Sequence, residues 1–245
     1  MHIYYSLLNI HRRFFGTHQR NTDWSKVKLV SIHIPKTAGT SFIHSLKKQY
    51  GHQKVARIDI NGNRTRINKT PVNKAYLYKN TAVIHGHFTI DLLHNHLSLP
   101  HNIPAITWLR DPVERVISNY YYLYKRLDEE LNEEKKGLNI LSKMRRSLLE
   151  YAQDERNCNR MSKFLKGIDL KDLFFIGIVE NYDKDIQELG RKLNWSIPEI
   201  VMHNKTGKIN KSIIDEKTKA LIRSYNKKDQ VLYEDALAIK NKLFS

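Results

Sequence analysis

Short apolar segments alternate with amphipathic segments along most of the chain. Five apolar runs predict strands that are buried on both faces: residues 27–34, 55–60, 81–85, 104–109 and 173–179. The first run is followed by a turn over residues 35–39 and a helical pattern over residues 40–50. Strands that alternate with helices are typical of parallel sheets. We therefore expect an α/β fold, a P-loop-like parallel sheet of about five strands flanked by helices, with extra C-terminal helices.

The segments between the predicted strands have other patterns. Residues 59–73 are polar, basic and rich in turn formers, so we expect a loop or mobile flap there. Leucines among alternating charges over residues 128–156 predict one or two amphipathic helices. No linker composition divides the chain. The sequence therefore predicts a single domain over residues 1–245, with a core over about 27–238 and an N-terminal extension over 1–26.

The composition adds a strong positive charge to this picture. The chain has 42 Lys and Arg against 25 Asp and Glu, a formal net charge of +17. Such a charge fits acidic partners, whether nucleic acid, anionic lipid, or an anionic small molecule or polysaccharide, and it fits an ordinary solvated basic surface equally well. The single cysteine, Cys158, excludes an internal disulfide. The longest apolar run has seven residues, far short of the roughly 20 that span a bilayer, so we expect a soluble protein.

The first candidate site is the loop after the first predicted strand. It reads His33-Ile34-Pro35-Lys36-Thr37-Ala38-Gly39-Thr40-Ser41-Phe42. A helix that begins directly after a strand offers free backbone N–H groups to an anion, and the lysine and hydroxyls add donors. Lys36 precedes Gly39, whereas the lysine of a Walker A loop follows its second glycine. The pattern favours a phosphate-type cradle over an ordinary turn and weakens a nucleotide triphosphatase interpretation.

The second candidate site follows the fourth predicted strand, in the run LRDPVERVISNYYY over residues 109–122. A capping aspartate and a proline at the first helical position place Arg110 at the carboxyl end of that strand. Ligands bind at this edge in open α/β sheets. Arg115 and Ser118 share one face of the predicted helix. Arg115 could be either a solvated charge on the helix surface or a contact to the ligand, and the sequence does not decide between the two.

The third candidate site consists of His85 and His87, which flank Gly86 at the end of the third predicted strand. Such a pair could ligate a metal, act as a base with its helper, or pack in the core. A zinc site needs three or four ligands, and no carboxylate or cysteine lies at a suitable spacing, so we expect no metal. Because the other two loops share this sheet edge, we favour catalysis.

The two loops IPKTAGTSF and LRDPVERVISNYYY resemble the cofactor loops of sulfotransferases that use 3′-phosphoadenosine 5′-phosphosulfate (PAPS). The resemblance is to the carbohydrate branch, which includes heparan sulfate uronosyl 2-O-sulfotransferases. It implies that the first loop surrounds the 5′-phosphosulfate and that the second holds the 3′-phosphate, the group that the product 3′,5′-adenosine bisphosphate keeps. The residues implied to bind the cofactor are Lys36, Thr37, Ala38, Gly39, Thr40, Ser41, Arg110 and Ser118. The His-Gly-His pattern also resembles this branch, which implies that His87 is the base and His85 a supporting residue.

Weaker similarity extends over about residues 27–238. The polar run His203-Asn204-Lys205-Thr206 looks like the family's loop that closes over the cofactor, which implies contacts from Lys205 and Thr206. Asn159 stands where many relatives have glutamine. The membrane anchor and disulfides of the animal enzymes, which work in the Golgi lumen, are missing. We therefore expect a cytoplasmic protein of bacterial type, with the Golgi lumen as the less favoured location.

The sequence thus predicts an O-sulfotransferase that moves a sulfuryl group from PAPS to a glycan hydroxyl, on a uronic-acid-containing polysaccharide or a glycolipid. His87 would accept the hydroxyl proton, and Lys36 would stabilise charge on the leaving oxygen. The basic residues that could contact an acidic acceptor, or be ordinary solvated loop charges, are Arg57, Arg64, Arg66 and Lys69. Two alternatives stay open, a P-loop-type kinase or nucleotide hydrolase and a basic nucleic-acid-binding module. For the favoured sulfotransferase function we expect no nucleic-acid partner.

Overall fold

The computed structural model describes residues 24–62, 64–73, 76–98, 100, 102–131, 146–196 and 214–242. The strands are β1 (Leu29–Ile32), β2 (Val55–Asn61), β3 (Arg64–Ile67), β4 (Thr70–Val72), β5 (Val83–Gly86), β6 (Ala105–Leu109) and β7 (Phe175–Ile178). The helices are α1 (Gly39–Tyr50), α2 (Ile90–Leu97), α3 (Pro112–Leu131), α4 (Leu148–Gln153), α5 (Arg160–Phe164), α6 (Tyr182–Lys192), α7 (Glu216–Tyr225) and α8 (Lys227–Lys242). Short 3-10 turns lie at Trp24–Lys26, Leu170–Asp172 and Val179–Asn181.

The strands form one sheet in the order β4-β3-β2-β5-β1-β6-β7. Strands β2, β5, β1, β6 and β7 are parallel, as their apolar runs predicted. The α/β fold is therefore confirmed. The sheet has seven strands, however, where the sequence predicted about five.

The two additional strands come from the segment that was expected to be a loop or mobile flap over residues 59–73. That prediction was wrong. Strand β2 continues to Asn61, and β3 and β4 add to it as antiparallel strands. In β3, Thr65 and Ile67 are buried while Arg64 and Arg66 are exposed, which is the alternation of a strand with one covered face.

Helices cover both faces of the sheet. Neighbouring residues of β1 point to opposite faces, so Leu29 and Val30 belong to different clusters of the core. Helices α1 and α6 pack against the face of Leu29. Helices α2, α5 and α8 pack against the face of Val30. A third cluster joins α3, α4 and α7. None of the helices among the described residues is both long and apolar enough to cross a membrane.

The amphipathic helices predicted over residues 128–156 are confirmed in part. Helix α3 ends at Leu131 and α4 covers Leu148–Gln153. Residues 132–145 lie outside the described part of the chain. Asp111 caps α3 as predicted, because its Oδ1 accepts a hydrogen bond from the Glu114 amide over 2.9 Å.

Helices α5 and α8 cap each other through Asn159 and Asp229. Oδ1 of Asn159 accepts hydrogen bonds from the amides of Lys228 and Asp229 over 3.0 and 3.2 Å. In return, the Asp229 carboxylate accepts from the amides of Met161 and Ser162 over 3.1 and 2.8 Å. Each side chain supplies acceptors to amides that have no partner within their own helix. Asn159 therefore has a structural role at the position where many relatives have glutamine.

Arg115 is neither a solvated charge nor an open ligand contact. Its side chain is 1% exposed and lies 3.9 Å, through Nε, from the fully buried carboxylate of Asp229. Its Nη2 also donates to the main-chain oxygen of Asn157 over 3.0 Å. A buried arginine needs such a partner because isolated charges are costly away from water. Arg115 therefore joins α3 to α8 in the interior.

Candidate active site

Three loops meet at one edge of the sheet. Strand β1 lies between β5 and β6, and all three are parallel. The segments that follow them therefore leave from the same carboxyl-terminal edge. These segments carry the three candidate sites, which begin at His33, His87 and Arg110. The predicted convergence of the three motifs at one edge is confirmed.

The loop before α1 leaves the start of that helix open. Lys36 and Ala38 have positive φ angles of 71° and 61°. Ala38 occupies the N-cap position, and α1 has no side-chain cap. Thr37 stabilises the turn, because its Oγ1 donates to the Ile34 oxygen over 2.9 Å. The uncapped amides of the first turn match what an anion requires. Thr40 is exposed at this helix start and Ser41 is buried.

The ammonium group of Lys36 lies over an aromatic ring of α3. Its Nζ is 4.1 Å from the ring centroid of Tyr122, which is the geometry of a cation–π contact. Burial, together with the positive charge of Arg110, lowers the pKa of Lys36 to about 8. Lys36 is therefore held beside the open helix start with its charge only weakly compensated.

The contacts of Arg110 do not engage all five N–H donors of its guanidinium group. Its Nη1 donates to the Lys36 oxygen over 3.2 Å, and its Nη2 lies 3.6 Å from the Glu114 carboxylate. Its buried Nε has no hydrogen-bond partner among the described residues and lies 4.0 Å from Glu180. Glu180 also accepts hydrogen bonds from the Asp111 amide and the Tyr233 hydroxyl. The guanidinium group can therefore donate to a further anion.

Three imidazole rings form a stack beside the α1 start. The His33 ring lies 5.0 Å from the His85 ring and 4.4 Å from the His87 ring, with interplanar angles of 18° and 29°. A Cβ atom at Gly39 would come within 1.8 Å of His33 Nε2, so the stack requires glycine there. Burial, reinforced by the two neighbouring histidines, holds the pKa of His33 well below its usual value. No role for the His33 ring was predicted from the sequence.

His85 is enclosed within the core. Its ring is 2% exposed, and Nδ1 lies 2.9 Å from the Ser31 hydroxyl oxygen on β1. Burial, with the charge of Arg57 in second place, lowers the pKa of His85 to about 3. The imidazole is therefore neutral at physiological pH and packs beneath His33.

His87 is bound through one ring nitrogen. Its Nδ1 lies 2.7 Å from Asp59 Oδ1, which also accepts the His87 amide over 3.1 Å. Arg57 Nε donates to Asp59 Oδ2 over 3.0 Å. Burial by itself raises the pKa of Asp59, but the hydrogen bonds from His87 and the charge of Arg57 outweigh it and hold that pKa well below its usual value. Because an ionised carboxylate only accepts, Nδ1 of His87 carries the proton and Nε2 is a proton acceptor.

Asp59 was missed as a site residue because its segment was expected to be a loop. The signal that could have found it is the pairing of β2 with β5, which places Arg57 opposite His85 and brings the next residues of both strands to the same edge. This pairing joins segments that are separated by the β3–β4 hairpin and a loop, so no local sequence pattern predicts it.

The remaining predicted site residues lie at several places. Ser118 is 3% exposed on α3. The basic residues Arg64, Arg66 and Lys69 are exposed on the hairpin formed by β3 and β4, which β2 separates from β5. Lys205 and Thr206 lie outside the described residues. Within the described ranges, no three histidine, cysteine, aspartate or glutamate side chains come together as metal ligands do.

Comparisons with known proteins identify the family. A comparison with curated proteins gives no match. One solved structure that matches is the crystal structure of a sulfotransferase from Alicyclobacillus acidocaldarius, with 13% sequence identity, a TM-score of 0.41, and coverage of 83% of this chain and 92% of that chain. The sequence model described as the sulfotransferase family matches residues 23–237. Since that match covers most of the chain, the protein belongs to the sulfotransferase family, and it transfers a sulfuryl group to a hydroxylated acceptor.

Proposed function

We propose that this protein is a PAPS-dependent O-sulfotransferase whose general base is His87 and whose acceptor is a glycan. The observation that carries the proposal is the 2.7 Å contact between His87 Nδ1 and Asp59, which leaves Nε2 able to accept a proton. A neutral imidazole is a suitable base near neutral pH. The base lies at the sheet edge that also carries the open start of α1 and the guanidinium group of Arg110.

The donor fits the cations at this edge. PAPS supplies an activated sulfuryl group and carries a separate 3′-phosphate, so it needs two anion-binding regions. The first is the start of α1, where Lys36, Thr37, Ala38, Gly39, Thr40 and Ser41 would surround the 5′-phosphosulfate. The second contains the guanidinium group of Arg110, whose side chain is 17% exposed and would hold the 3′-phosphate with Ser118. Lys205 and Thr206, which lie outside the described residues, would add further contacts.

The catalytic roles follow from the charges of the side chains. His87 takes the proton of the acceptor hydroxyl on Nε2, while the ring keeps its contact with Asp59 through Nδ1. The Lys36 ammonium stabilises the negative charge that develops on the leaving oxygen. His85 stays neutral and supports the position of His33. Fixed cations provide the electrostatic stabilisation without a metal.

The acceptor is proposed to be acidic, such as a uronic-acid-containing polysaccharide or a glycolipid. The net charge of +17 favours anionic partners. Arg64 and Arg66 point to solvent from β3, and Lys69 is exposed in the following turn. An extended acidic chain that reaches the base could contact this hairpin.

Calorimetric titration tests the donor site. We expect 3′,5′-adenosine bisphosphate to bind well and 5′-AMP to bind at least tenfold more weakly, because only the bisphosphate offers a 3′-phosphate to Arg110. ATP–magnesium should not bind more tightly than the bisphosphate. Arg110→Ala should abolish the difference between bisphosphate and AMP. Arg223→Ala, which removes an exposed arginine from α7, should not. A clear preference for ATP–magnesium would reject the proposal in favour of the kinase alternative, which the family match does not favour.

A second measurement tests the base. His87→Ala should bind the bisphosphate normally but lose turnover by about 100-fold or more, since general base catalysis typically contributes 10²–10⁴-fold. His52→Ala removes an exposed histidine between α1 and β2 and serves as the control. Wild-type turnover in His87→Ala would exclude His87 as the base.

A further inference from the structure

We propose that Asp59 is the positioning residue of the catalytic base, and that Arg57 acts on Asp59 and does not contact the acceptor. Asp59 holds the His87 ring with its proton on Nδ1 and with Nε2 directed to the acceptor hydroxyl. The proposal rests on the proposed function, because it takes His87 as the base. It changes the predicted role of Arg57, which the sequence suggested as an acceptor contact.

Three donors converge on the Asp59 carboxylate. Oδ1 accepts from the His87 ring nitrogen over 2.7 Å and from the His87 amide over 3.1 Å. Oδ2 accepts from Arg57 Nε over 3.0 Å. Two of the three contacts come from one residue, and they fix both its main chain and its ring. The carboxylate therefore controls the orientation of the imidazole and also its tautomer.

The sheet itself sets the distance between Asp59 and His87. The Ile60 amide donates to the His87 main-chain oxygen over 2.8 Å, so β2 pairs with the residue that follows β5. A Cβ at Gly86 would come within 1.7 Å of the Ile58 oxygen, which shows how closely the two backbones approach. Positions defined by paired strands are more rigid than positions on loops. The glycine between the two histidines therefore permits the approach that brings Asp59 to His87.

The surroundings of His87 make a negative partner necessary. The charged and titratable groups on the elements around it are Asp59 and Arg57 from β2, His85 from β5, His33 from the loop after β1, Arg64 and Arg66 from β3, and Arg160 and Lys163 from α5. The Arg160 guanidinium group lies 5.3 Å from the centroid of Phe164, whose ring lies 6.4 Å from His87. Asp59 is the member of this set that stabilises an imidazolium.

The proton balance is simple. The acceptor O–H bond breaks and an N–H bond forms at His87 Nε2, while the acceptor oxygen bonds to sulfur and the bond from sulfur to the leaving phosphate oxygen breaks with its electron pair. Asp59 stays ionised throughout and balances the new charge on the ring. The proton then leaves Nε2 for solvent, which restores the neutral base.

The variant Asp59→Asn tests the positioning role directly, because all three groups that contact the Asp59 carboxylate are hydrogen-bond donors. A carboxamide has one accepting end and one donating end, so the variant cannot satisfy both His87 and Arg57. We expect kcat to fall on the order of 100-fold, as for other residues that orient a catalytic histidine, with the KM for PAPS unchanged. Asp235→Asn removes the same charge from an exposed position on α8 and is the matched control.

A readout without activity separates this inference from the proposed function. Nitrogen-15 NMR of the imidazole groups should show His87 with its proton on Nδ1 in the wild-type protein and a mixture of tautomers in Asp59→Asn. If His87→Ala keeps its turnover, the proposed base is wrong, but the tautomer still reports the contact with Asp59. If His87→Ala is inactive while Asp59→Asn keeps the wild-type kcat and tautomer, the positioning role of Asp59 is overturned.

Arg57→Ala provides a second variant in case Asp59→Asn does not fold. We expect a reduced kcat with an unchanged KM for the acceptor, because Arg57 acts through Asp59. A raised acceptor KM with an unchanged kcat would overturn the assignment and return Arg57 to the acceptor site. Steady-state kinetics on the folded Arg57→Ala variant distinguishes these two outcomes in one assay.

Discussion

Arg110 Nη1 donates a hydrogen bond to the main-chain oxygen of Lys36 over 3.2 Å. This bond joins the loop after β6 to the loop after β1. The two loops therefore keep a fixed distance, which matters for a ligand with two separated anionic groups. It also places the two positive charges close enough for Arg110 to contribute to the lowered pKa of Lys36.

Donor affinity should depend on the protonation of Lys36. Its pKa is lowered to about 8, so the ammonium is present below that pH and is lost as the pH rises through it. We expect kcat/KM for PAPS to fall at higher pH with a midpoint at about 8, because this quantity reports the free enzyme. Lys36→Arg keeps its charge and should move the falling limb to higher pH. The measurement is the pH profile of kcat/KM, and the same limb in Lys36→Arg would exclude Lys36 as its source.

Gly39→Ala should reduce turnover more than stability. The new Cβ would lie within 1.8 Å of His33 Nε2, so the ring must leave its place against His87. We expect kcat to fall about 10- to 100-fold, since small displacements near a reacting group cost this much. Stability should fall as well, because a ring packed against two other imidazoles must move, so kcat is compared per folded molecule.

Gly177→Ala is the matched control for Gly39→Ala. Its Cβ would lie within 2.3 Å of the Trp108 ring in the core between β6 and β7, away from the histidine stack. It should lower the melting temperature and leave kcat per folded molecule unchanged. The comparison uses thermal unfolding and steady-state kinetics on both variants. Equal losses of stability with no separate loss of kcat would contradict the role given to Gly39.

Reversing the charge of the hairpin should weaken the binding of an acidic acceptor and leave the binding of PAPS unchanged. Arg64→Glu with Lys69→Glu changes two exposed residues that do not lie opposite Asp59, so stability should stay within about 0.5 kcal/mol. We expect the acceptor KM to rise about tenfold, from two contacts of up to ~1 kcal/mol each, with the KM for PAPS unchanged. Lys217→Glu with Lys228→Glu, on α7 and α8, controls for net charge. Equal acceptor KM values for the two double variants would remove the hairpin from recognition.

Asp229→Ala should destabilise the protein by about 3–5 kcal/mol, because it leaves the buried charge of Arg115 without its partner. It also removes the acceptor for two amides of α5. Urea unfolding measures the loss, with Asp235→Ala as an exposed control. Adding Arg115→Met should recover part of the stability, since the unpaired charge is then gone. No recovery would mean that the ion pair is not the source of the loss.

The parallel core of the sheet could be predicted from the sequence because its strands are continuous apolar runs. The same pattern placed His87 and Arg110 at strand ends, and parallel strands bring such ends to one edge. The hairpin could not be predicted in this way. Only Thr65 and Ile67 of β3 face the core, so its signal is two positions long and lies among turn-forming residues.

Contacts between segments that are distant along the chain also could not be predicted from the sequence. Asp59 contacts His87 only because β5 lies next to β2 in the sheet. The sequence of a single strand does not predict which strands will be its neighbours. Arg115 looks like a surface charge in its own helix, and its partner Asp229 comes from a helix near the other end of the chain. A helix pattern shows which residues share a face, but not which charge will cover that face.

The mutual capping of Asn159 and Asp229 has a consequence for how the protein is made. Residues emerge from the ribosome in order, and domains tend to fold as their segments become available. All strands of the sheet have been synthesised once Ile178 is complete. Helix α5, whose Phe164 ring lies beside His87, receives the acceptor for its first amides only when Asp229 follows. The nascent chain can thus assemble the sheet early, while the surroundings of the base mature last, and a chain that stops before Asp229 would keep the motifs without completing the site.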